Sequence, residues 1–505
     1  MTVKVMYRLL ALIMTVFMFA SMNTAQAVDD AYPNTYTYNY DYWGDIRESP
    51  DAYRVIDVIY SGDLGLTTAM KKPQSLFVHN NDIYVADTGN NRILQIRREG
   101  DEFTLVRVID SIQGCEMTTF NTPSDVFVDE SENIYIADTN NGRVVMVDKD
   151  LNFIKEFTKP SDATFDQSLS FMPNKIVVDV SGRVFVLATN VNKGLVKFET
   201  DTSFTGFVGA NKVSYNFVEY VWKTYFMTKE QRAQQASFVP TEYHNIYIDP
   251  ESFIYATNTV FSEYDLLYDV AQPIRRLNGI GNDILIKNDR YPPIGELYWV
   301  EGSVPMGPSK LVDITVLEND IYVAVDQTRG RLFGYDSQGV MLWAFGTTGS
   351  SEGAFNSVVS IEHMGRDLFV LDQNGGSITV FTTTEYGDMI YNAIDGYLKG
   401  DYDGSALLWE EVLKLNANYN MAFIGIGRSL MRQENYEEAM EYFKMANDRD
   451  NYGRAFRFYR KVWVEENVWW MILLIAAVLI IPLSFRMVKK MRTEVEAHER
   501  NQVKK

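Results

Sequence analysis

The sequence predicts a mainly β protein, with a six-bladed β-propeller followed by a short α-helical repeat and one transmembrane helix. Three observations lead to this fold class. A pattern of short strands recurs six times within residues 50–385, and a helical pattern with a 34-residue spacing follows over 388–462. The segment 468–485 then contains 18 residues without a charged side chain. Four-stranded units repeated four to eight times are typical of propellers.

Composition limits the classes of function. The chain has 505 residues, of which 46% are hydrophobic and 23% charged, as in globular proteins. Its formal net charge of −20 argues against general nucleic-acid binding. The single cysteine, Cys115, excludes a disulfide framework and a cysteine-rich metal site.

Residues 1–27 are typical of a secretory signal peptide. Lys4 and Arg8 form a positive start, Leu9–Ala20 is apolar, and Ala25–Ala27 has the small-residue pattern of a cleavage site. The prediction is export of the region that follows. An uncleaved anchor is the alternative.

The second membrane signal is the uncharged segment 468–485. At about 1.5 Å per residue, a helix of this length nearly spans a hydrocarbon core of about 30 Å. Trp469 and Trp470 stand where an outer aromatic belt is expected, and a basic tail, 486–505, follows. With the signal peptide, this predicts a single-pass type I protein of the plasma membrane. Its large domain is extracytoplasmic and its tail is cytoplasmic.

The six strand copies are recognised by self-comparison. Lys72–Val78 with Asp82–Ile93 is repeated fifty residues later as Thr122–Asp129 with Asn133–Val144. Four further copies begin near Pro173, Asn245, Leu311 and Val358. Each copy holds β-branched and aromatic runs separated by Asp, Asn and Gly turns, which is the signal for strands and hairpins.

The last copy lacks an outer strand, because the chain becomes helical after Thr382. An unassigned strand, Tyr53–Tyr60, precedes the first copy. We expect this strand to close the ring against Ile378–Phe381, since closure removes the exposed sheet edges.

The motif P-x-x-[hydrophobic]-x-V-D followed by N-I-Y-V-A-D-T-x-N-x-R resembles the NHL repeat. The resemblance covers about 50–385 and is strongest in the first two copies. It implies a six-bladed propeller, a shape that is shared by lactonases, lyases and adhesive ectodomains. Fold therefore does not assign a function here.

Aspartates recur at the end of the second strand of several copies. A structural role is the favoured interpretation over a metal site, because such an aspartate can accept hydrogen bonds from backbone N–H groups two residues on. An arginine five residues later is close enough across a hairpin to pair with it. The aspartates are Asp87, Asp138, Asp326 and Asp372, and the arginines are Arg92, Arg143 and Arg331.

Two insertions interrupt the repeat. The first, about 213–243, has Phe217, Val221 and Tyr225 at helical spacing, and the second covers 261–308. Long insertions on one face of a repeat array often form the binding face, although a lid over the channel is the alternative. The predicted ligand-binding residues of this propeller rim are Trp222, Tyr225, Tyr243, His244 and Tyr291.

The helical stretch 388–462 resembles tetratricopeptide repeats. Tyr402 and Tyr436 open two similar helical patterns 34 residues apart, which is the tetratricopeptide period. The stretch corresponds to one and a half to two units. A generic helical hairpin between propeller and membrane is the alternative.

Few side chains of the sequence are candidates for catalysis or metal binding. His79 and His363 end a first strand whereas His244 begins one, so the three-histidine zinc site of NHL-type lyases is not expected. The resemblance to propeller lactonases leaves a second possibility, one divalent cation such as Ca²⁺ held in the channel by oxygen ligands. Its candidate ligands are Asp125, Asn174, Glu242, Asn245 and Asp313.

The favoured interpretation is a membrane-anchored, extracytoplasmic binding or scaffold protein without a cofactor. Its propeller would bind a glycan or a protein partner, and proteins of similar layout imply a role in the bacterial envelope or carbohydrate uptake. No catalytic residue is assigned. The alternative is a metal-dependent lactonase, another hydrolase or a lyase that uses a cation in the channel.

Overall fold

The computed structural model describes residues 37–209, 243–261, 265–266, 271–288, 291–296 and 307–502. The chain divides into two compact units. One consists of Met1–Asn39 and Glu48–Thr384, and the other of Tyr40–Arg47 and Glu385–Lys505.

The first unit is the predicted propeller. The strands up to residue 209 are β1 (Thr37–Tyr40), β2 (Ile46–Ser49), β3 (Tyr53–Tyr60), β4 (Ser75–His79), β5 (Asp82–Asp87), β6 (Arg92–Glu99), β7 (Glu102–Ile109), β8 (Pro123–Val128), β9 (Ile134–Asp138), β10 (Arg143–Val147), β11 (Phe153–Thr158), β12 (Pro173–Val178), β13 (Val184–Ala188), β14 (Leu195–Phe198) and β15 (Phe204–Val208). The later strands are β16 (Tyr243–Ile248), β17 (Ile254–Asn258), β18 (Ile274–Leu277), β19 (Leu311–Val316), β20 (Tyr322–Asp326), β21 (Arg331–Tyr335), β22 (Met341–Phe345), β23 (Thr347–Thr348), β24 (Ala354–Phe355), β25 (Val358–Met364), β26 (Asp367–Asp372) and β27 (Ser377–Thr383).

Most of these strands form six antiparallel blades, whereas β23 and β24 pair parallel in a separate two-stranded sheet. The first three blades are β4–β7, β8–β11 and β12–β15, and the fourth has β16–β18 among the described residues. The fifth blade is β19–β22 with β1 added at its outer strand, and the sixth is β25–β27 with β3. The inner strands β4, β8, β12, β16, β19 and β25 contact one another in turn and close a ring. The six-bladed propeller is therefore confirmed.

The predicted closing strand is also confirmed. In the sixth blade β3 pairs with β27, with Ile59 opposite Ile378 and Val55 opposite Phe381. Ile59 is 2% exposed and packs in an apolar cluster that includes Ile83 of the first blade. The first and last parts of the propeller are thus joined by one sheet.

Strands in the middle of each blade are buried on both faces, because each blade packs against two neighbours. All five residues of β9 and of β13 are buried, and apolar clusters join the first blade to the second and the second to the third. Aspartates fix the hairpins between strands. Asp129 Oδ1, for example, accepts hydrogen bonds of 2.9 Å from the backbone N–H groups of Ser131 and Asn133.

One part of the predicted second insertion belongs to a blade. Ile274–Leu277 forms β18, which pairs antiparallel with β17 as the third strand of the fourth blade. Ile274 and Leu277 are buried while Arg275 and Arg276 between them are half-buried. This buried–polar–polar–buried order does not alternate, so the sequence did not indicate a strand. The first insertion, except for Tyr243, lies outside the described residues.

The second unit contains five described helices. They are α1 (Glu385–Lys399), α2 (Tyr402–Leu415), α3 (Asn420–Arg432), α4 (Tyr436–Met445) and α5 (Arg449–Gln502). The two helices with equivalent patterns, α2 and α4, begin 34 residues apart, as the sequence predicted. Trp409 of α2 is buried directly against Gly425 of α3, where a Cβ atom would overlap its ring. A glycine is therefore required for this close helix contact.

The helix α5 carries the apolar segment 468–485. Within the described part of the chain, it is the one helix that is long and apolar enough to cross a membrane. Its 54 residues correspond to about 80 Å, more than twice the thickness of a hydrocarbon core. The apolar segment is exposed in the structure, and Pro482 lies near its C-terminal end.

Candidate functional site

The inner strands carry six polar side chains at one register position, which we call the inner ring. Each lies opposite the penultimate residue of the second strand of its own blade. All six are buried. The inner ring consists of Ser75, Asp125, Lys175, Asn245, Asp313 and Ser360.

Hydrogen bonds of the inner ring join the first three blades. The Ser75 hydroxyl donates to Asp125 Oδ1 of the second blade. Asp125 Oδ2 accepts a hydrogen bond of 2.7 Å from the backbone N–H of Ile176 in the third blade. Both oxygens of this carboxylate are therefore engaged between neighbouring blades.

The same arrangement joins the other blades. The Asn245 amide donates to Asp313 Oδ1, and Asp313 Oδ2 accepts from the Ser360 hydroxyl at 2.7 Å. The backbone N–H of Ile361 donates to the same oxygen at 2.8 Å. The backbone N–H of Leu76 in turn donates to Ser360 Oγ at 3.1 Å. The inner ring thus links the fourth, fifth and sixth blades to the first.

Lys175 supplies the positive charge of the inner ring. Its Nζ lies 3.8 Å from Asp125 Oδ1 and donates to the Gln74 carbonyl oxygen at 3.3 Å. Burial raises the pKa of Asp125 and raises that of Asp313 to about 6, and the charge of Lys175 opposes both shifts. One ammonium group therefore compensates two buried carboxyls.

Three of the five candidate cation ligands lie in the inner ring. Asp125, Asn245 and Asp313 belong to the inner ring, but they come from three blades and bond to serine hydroxyls, N–H groups or one another. Asn174 lies one residue before Lys175, and Glu242 lies outside the described residues. In the described ranges no group of three or more His, Cys, Asp or Glu side chains is arranged to hold a metal ion. The inner-ring donors are thus engaged with neighbouring blades, and a cation site at these five positions stays a prediction.

A second buried cluster lies beside the inner ring. Thr315 Oγ1 is 2.7 Å from His363 Nδ1 and 3.4 Å from Glu362 Oε2. Burial raises the pKa of Glu362 well above its usual value and lowers that of His363 to about 4. The His363 imidazole is therefore uncharged near neutral pH. Sequence reasoning missed Glu362, because a single glutamate in a strand carries no recognisable signal.

The histidines lie as the sequence predicted. His79 is the last residue of β4 and His363 is the penultimate residue of β25, whereas His244 is the second residue of β16. Because the inner strands run side by side, His244 is at the end opposite to the other two. The three imidazoles do not converge.

The structure describes three of the five predicted rim residues. Tyr243 is buried, and its hydroxyl donates to the Gly209 carbonyl oxygen at 2.7 Å. His244 is exposed and Tyr291 is half-buried. Trp222 and Tyr225 lie outside the described residues. Ligand binding at these five positions stays a prediction.

The repeated aspartates have a structural role, although their shared backbone donor is not the expected one. It lies 15 to 17 residues earlier in the chain, and the expected bond from the N–H two residues on is present at Asp326 and Asp372. Asp87 Oδ1 accepts a hydrogen bond of 2.7 Å from the backbone N–H of Lys71, in the loop that enters the blade, and Asp87 Oδ2 pairs with Arg92 at 2.7 Å. The backbone hydrogen bond recurs at Asp138, Asp326 and Asp372. These carboxylates hold the first, second, fifth and sixth blades to the connection that precedes each of them.

The predicted pair of Asp326 with Arg331 is wrong. Arg331 instead contacts Glu296, a buried carboxylate that also pairs with Arg329 at 3.1 Å. Arg329 additionally lies 3.7 Å from Asp326. Glu296 is 35 residues earlier in the chain than Arg331, so spacing alone did not indicate this competing partner.

Comparisons with known proteins assign no family to this chain. A scan against protein-family models finds no match, and a search of curated proteins finds none either. Among solved structures, the chain is similar to virginiamycin B lyase from Staphylococcus aureus, at 10% identity and a TM-score of 0.40 over 66% of this chain and 100% of that one. It is also similar to a Bacteroides thetaiotaomicron protein of unknown function, at 13% identity and a TM-score of 0.41 over 68% and 80% of the two chains. Similarity this low carries no argument about fold or activity.

Proposed function

We propose that this protein is a membrane-anchored, extracytoplasmic binding or scaffold module whose propeller engages a ligand or a protein partner. One observation carries the proposal. The buried carboxylates that a hydrolase would need in the channel bond to neighbouring blades and face the resident ammonium of Lys175. These groups serve to hold the propeller closed, which leaves its surfaces for binding.

The repeat motif and the helix spacing also support this hypothesis. The repeat motif supports assignment of the blades to the NHL type, and the 34-residue spacing of α2 and α4 supports tetratricopeptide-like helices, which commonly hold a partner. By this proposal the partner is a glycan or a protein of the bacterial envelope or of carbohydrate uptake.

Thermal unfolding of the full chain in detergent tests the functional class. We expect the melting temperature to be the same in Ca²⁺ and in EDTA, because the channel carboxylates already have protein partners. A compound that binds the native state raises the midpoint by mass action, so neutral and acidic glycans are screened in the same assay. A loss of several degrees in EDTA would instead show a structural cation and favour the hydrolase or lyase alternative. A protein partner is sought by crosslinking in the membrane.

The proposed type I topology can be tested with a cysteine that the chain already contains. Cys115 is the single cysteine of the chain and is partly exposed in the segment between β7 and β8. We expect a membrane-impermeant maleimide to label it in spheroplasts, because the propeller would face outwards. The matched control is the variant Lys490→Cys in a Cys115→Ala background, which should be labelled after permeabilisation alone. The opposite pattern would contradict the topology.

A further inference from the structure

A polar cavity of about 400 Å³ lies between the first and second blades. It is open at the hairpin ends of the inner strands, at the end of β4 where His79 lies. Its volume falls at the small end of the range of about 300–1,000 Å³ that is usual for ligand pockets. The polar and charged lining residues that bear on ligand binding are Asp82, Tyr84, Gln95, Arg97, Arg107 and Lys149.

Arg107 is held in a fixed position at this cavity. Its Nε donates to Gln95 Oε1 at 2.6 Å, and its Nη1 donates to the Lys149 carbonyl oxygen at 2.7 Å. Gln95 is buried and donates in turn to Asp82 Oδ2 at 2.6 Å. Among the described residues, Nη2 of Arg107 has no acceptor. The guanidinium is therefore preorganised, with one donor edge left for a ligand.

The charges around the cavity leave Arg107 uncompensated. Arg97 binds Asp82 with two hydrogen bonds of 2.7 and 2.8 Å. Burial alone would raise the pKa of Asp82, but the bonds from Arg97 and Gln95 outweigh it and hold this pKa below its usual value. Lys149 lies 3.9 Å from Glu132, the second carboxylate of the lining. Two cations are thus matched by two anions, and Arg107 remains as a local positive charge on a protein of net charge −20.

A second polar group in the lining is also without a partner. Tyr84 is 5% exposed, and among the described residues its hydroxyl makes no hydrogen bond. Burial, with the nearby charge of Asp82, raises the pKa of Tyr84 to about 12, so the phenol keeps its proton at neutral pH. The hydroxyl is not among the buried polar atoms that lack a partner in the described part of the chain, so it faces the cavity as a donor that a ligand oxygen can meet.

We infer that this cavity binds a small carboxylate that also carries hydroxyl groups, such as a monosaccharide acid. The carboxylate would accept from Arg107 Nη2, and a ligand oxygen would accept from the Tyr84 hydroxyl. Val128 and Ile134 supply an apolar wall for the ring of such a ligand. The inference rests on the proposed binding function and names a ligand class for it.

Titration calorimetry on the full chain in detergent tests the site, with galacturonate, galactose and sulfate as probes. Galacturonate should bind, and galactose should bind at least about tenfold more weakly, because a hydrogen bond to a charged group is worth about 1.5–3 kcal/mol. Arg107→Gln should weaken galacturonate binding by at least about tenfold. Tyr84→Phe, which removes one unpartnered hydroxyl and keeps the ring, should weaken it by about threefold to tenfold without lowering thermal stability.

The matched control is Arg54→Gln, which removes one exposed positive charge from β3 in another blade. Binding in this variant should equal that of the wild type. Absence of galacturonate binding, equal binding of galactose, equal binding of sulfate, or an equal loss in Arg54→Gln would each overturn the inference. The two proposals fail separately, since EDTA-dependent stability contradicts the binding-module function whereas these outcomes contradict this site.

Discussion

Replacing Lys175 with methionine is expected to lower the free energy of unfolding by about 3–5 kcal/mol at pH 8. Removal of one partner from a buried charged group leaves the other without compensation, which is among the largest effects of a single substitution. Asp125 and Asp313 would then be two buried carboxyls without a nearby ammonium group. Methionine has nearly the length of lysine, so the effect reports charge rather than volume.

The loss should depend on pH, with a sign that follows from the pKa of Asp313. In the folded state this pKa is raised from 3.8 to about 6, so the folded state favours the protonated carboxyl. Its contribution to stability is complete below pH 3.8 and is lost as the pH rises through about 6. Removal of Lys175 takes away the charge that opposes this shift. The variant should therefore be closer to the wild type at pH 5 than at pH 8.

Chemical unfolding of the full chain at the two pH values measures this effect. Lys149→Met is the matched control, because the Lys149 side chain is 67% exposed and its loss should change stability by no more than about 0.5 kcal/mol. Adding Asp125→Asn to Lys175→Met should recover part of the stability at pH 8. Equal stability of Lys175→Met and wild type at pH 8 would refute the role assigned to the inner ring.

Ile59→Ala is expected to destabilise the propeller by about 2–5 kcal/mol, the usual cost of truncating a fully buried isoleucine. Ile59 lies on the strand that closes the ring, opposite Ile378, and packs against residues of the first and sixth blades. The space left by the missing side chain would therefore weaken the seam between β3 and β27, where the two ends of the propeller meet. An opened seam exposes the edge of β27, so aggregation on heating should also increase.

Ile56→Ala provides the control for the same substitution on the same strand. Ile56 is 38% exposed, so its truncation should change the free energy of unfolding by no more than about 0.5 kcal/mol. Denaturant unfolding gives the stability of both variants, and light scattering during heating gives their aggregation. Equal destabilisation by the two substitutions would argue against a special role for the closing seam.

The architecture could be predicted because its signals are local and repeated. Ile83–Ala86 and Ile134–Ala137 show the same buried strand 51 residues apart, and the same Asp-containing turns follow them. The closing role of Tyr53–Tyr60 followed from counting strands, since one blade lacked a partner and one strand lacked a blade. The length and apolar character of 468–485 likewise need no tertiary information.

The candidate site could be predicted only in part. Asp125, Asn245 and Asp313 stood out as polar residues near the start of buried strands, but their interpretation as cation ligands gains no support from their bonds to neighbouring blades. Ser75 and Lys175 carried no signal, because a serine or a lysine at such a position has many possible roles. The role of each became visible when one ring position was compared across the blades.

The sequence by itself determined the six-bladed propeller, the strand that closes it, the spacing of α2 and α4, and the apolar segment of α5. Periodicity and composition are properties of neighbouring residues, so they can be read without coordinates. The tertiary structure alone decided which charges meet. Lys175 reaches Asp125 fifty residues away, and the partner of Arg331 is Glu296 rather than Asp326. Such pairs form between blades or connections, and their energy depends on burial and distance, which spacing along the chain does not encode.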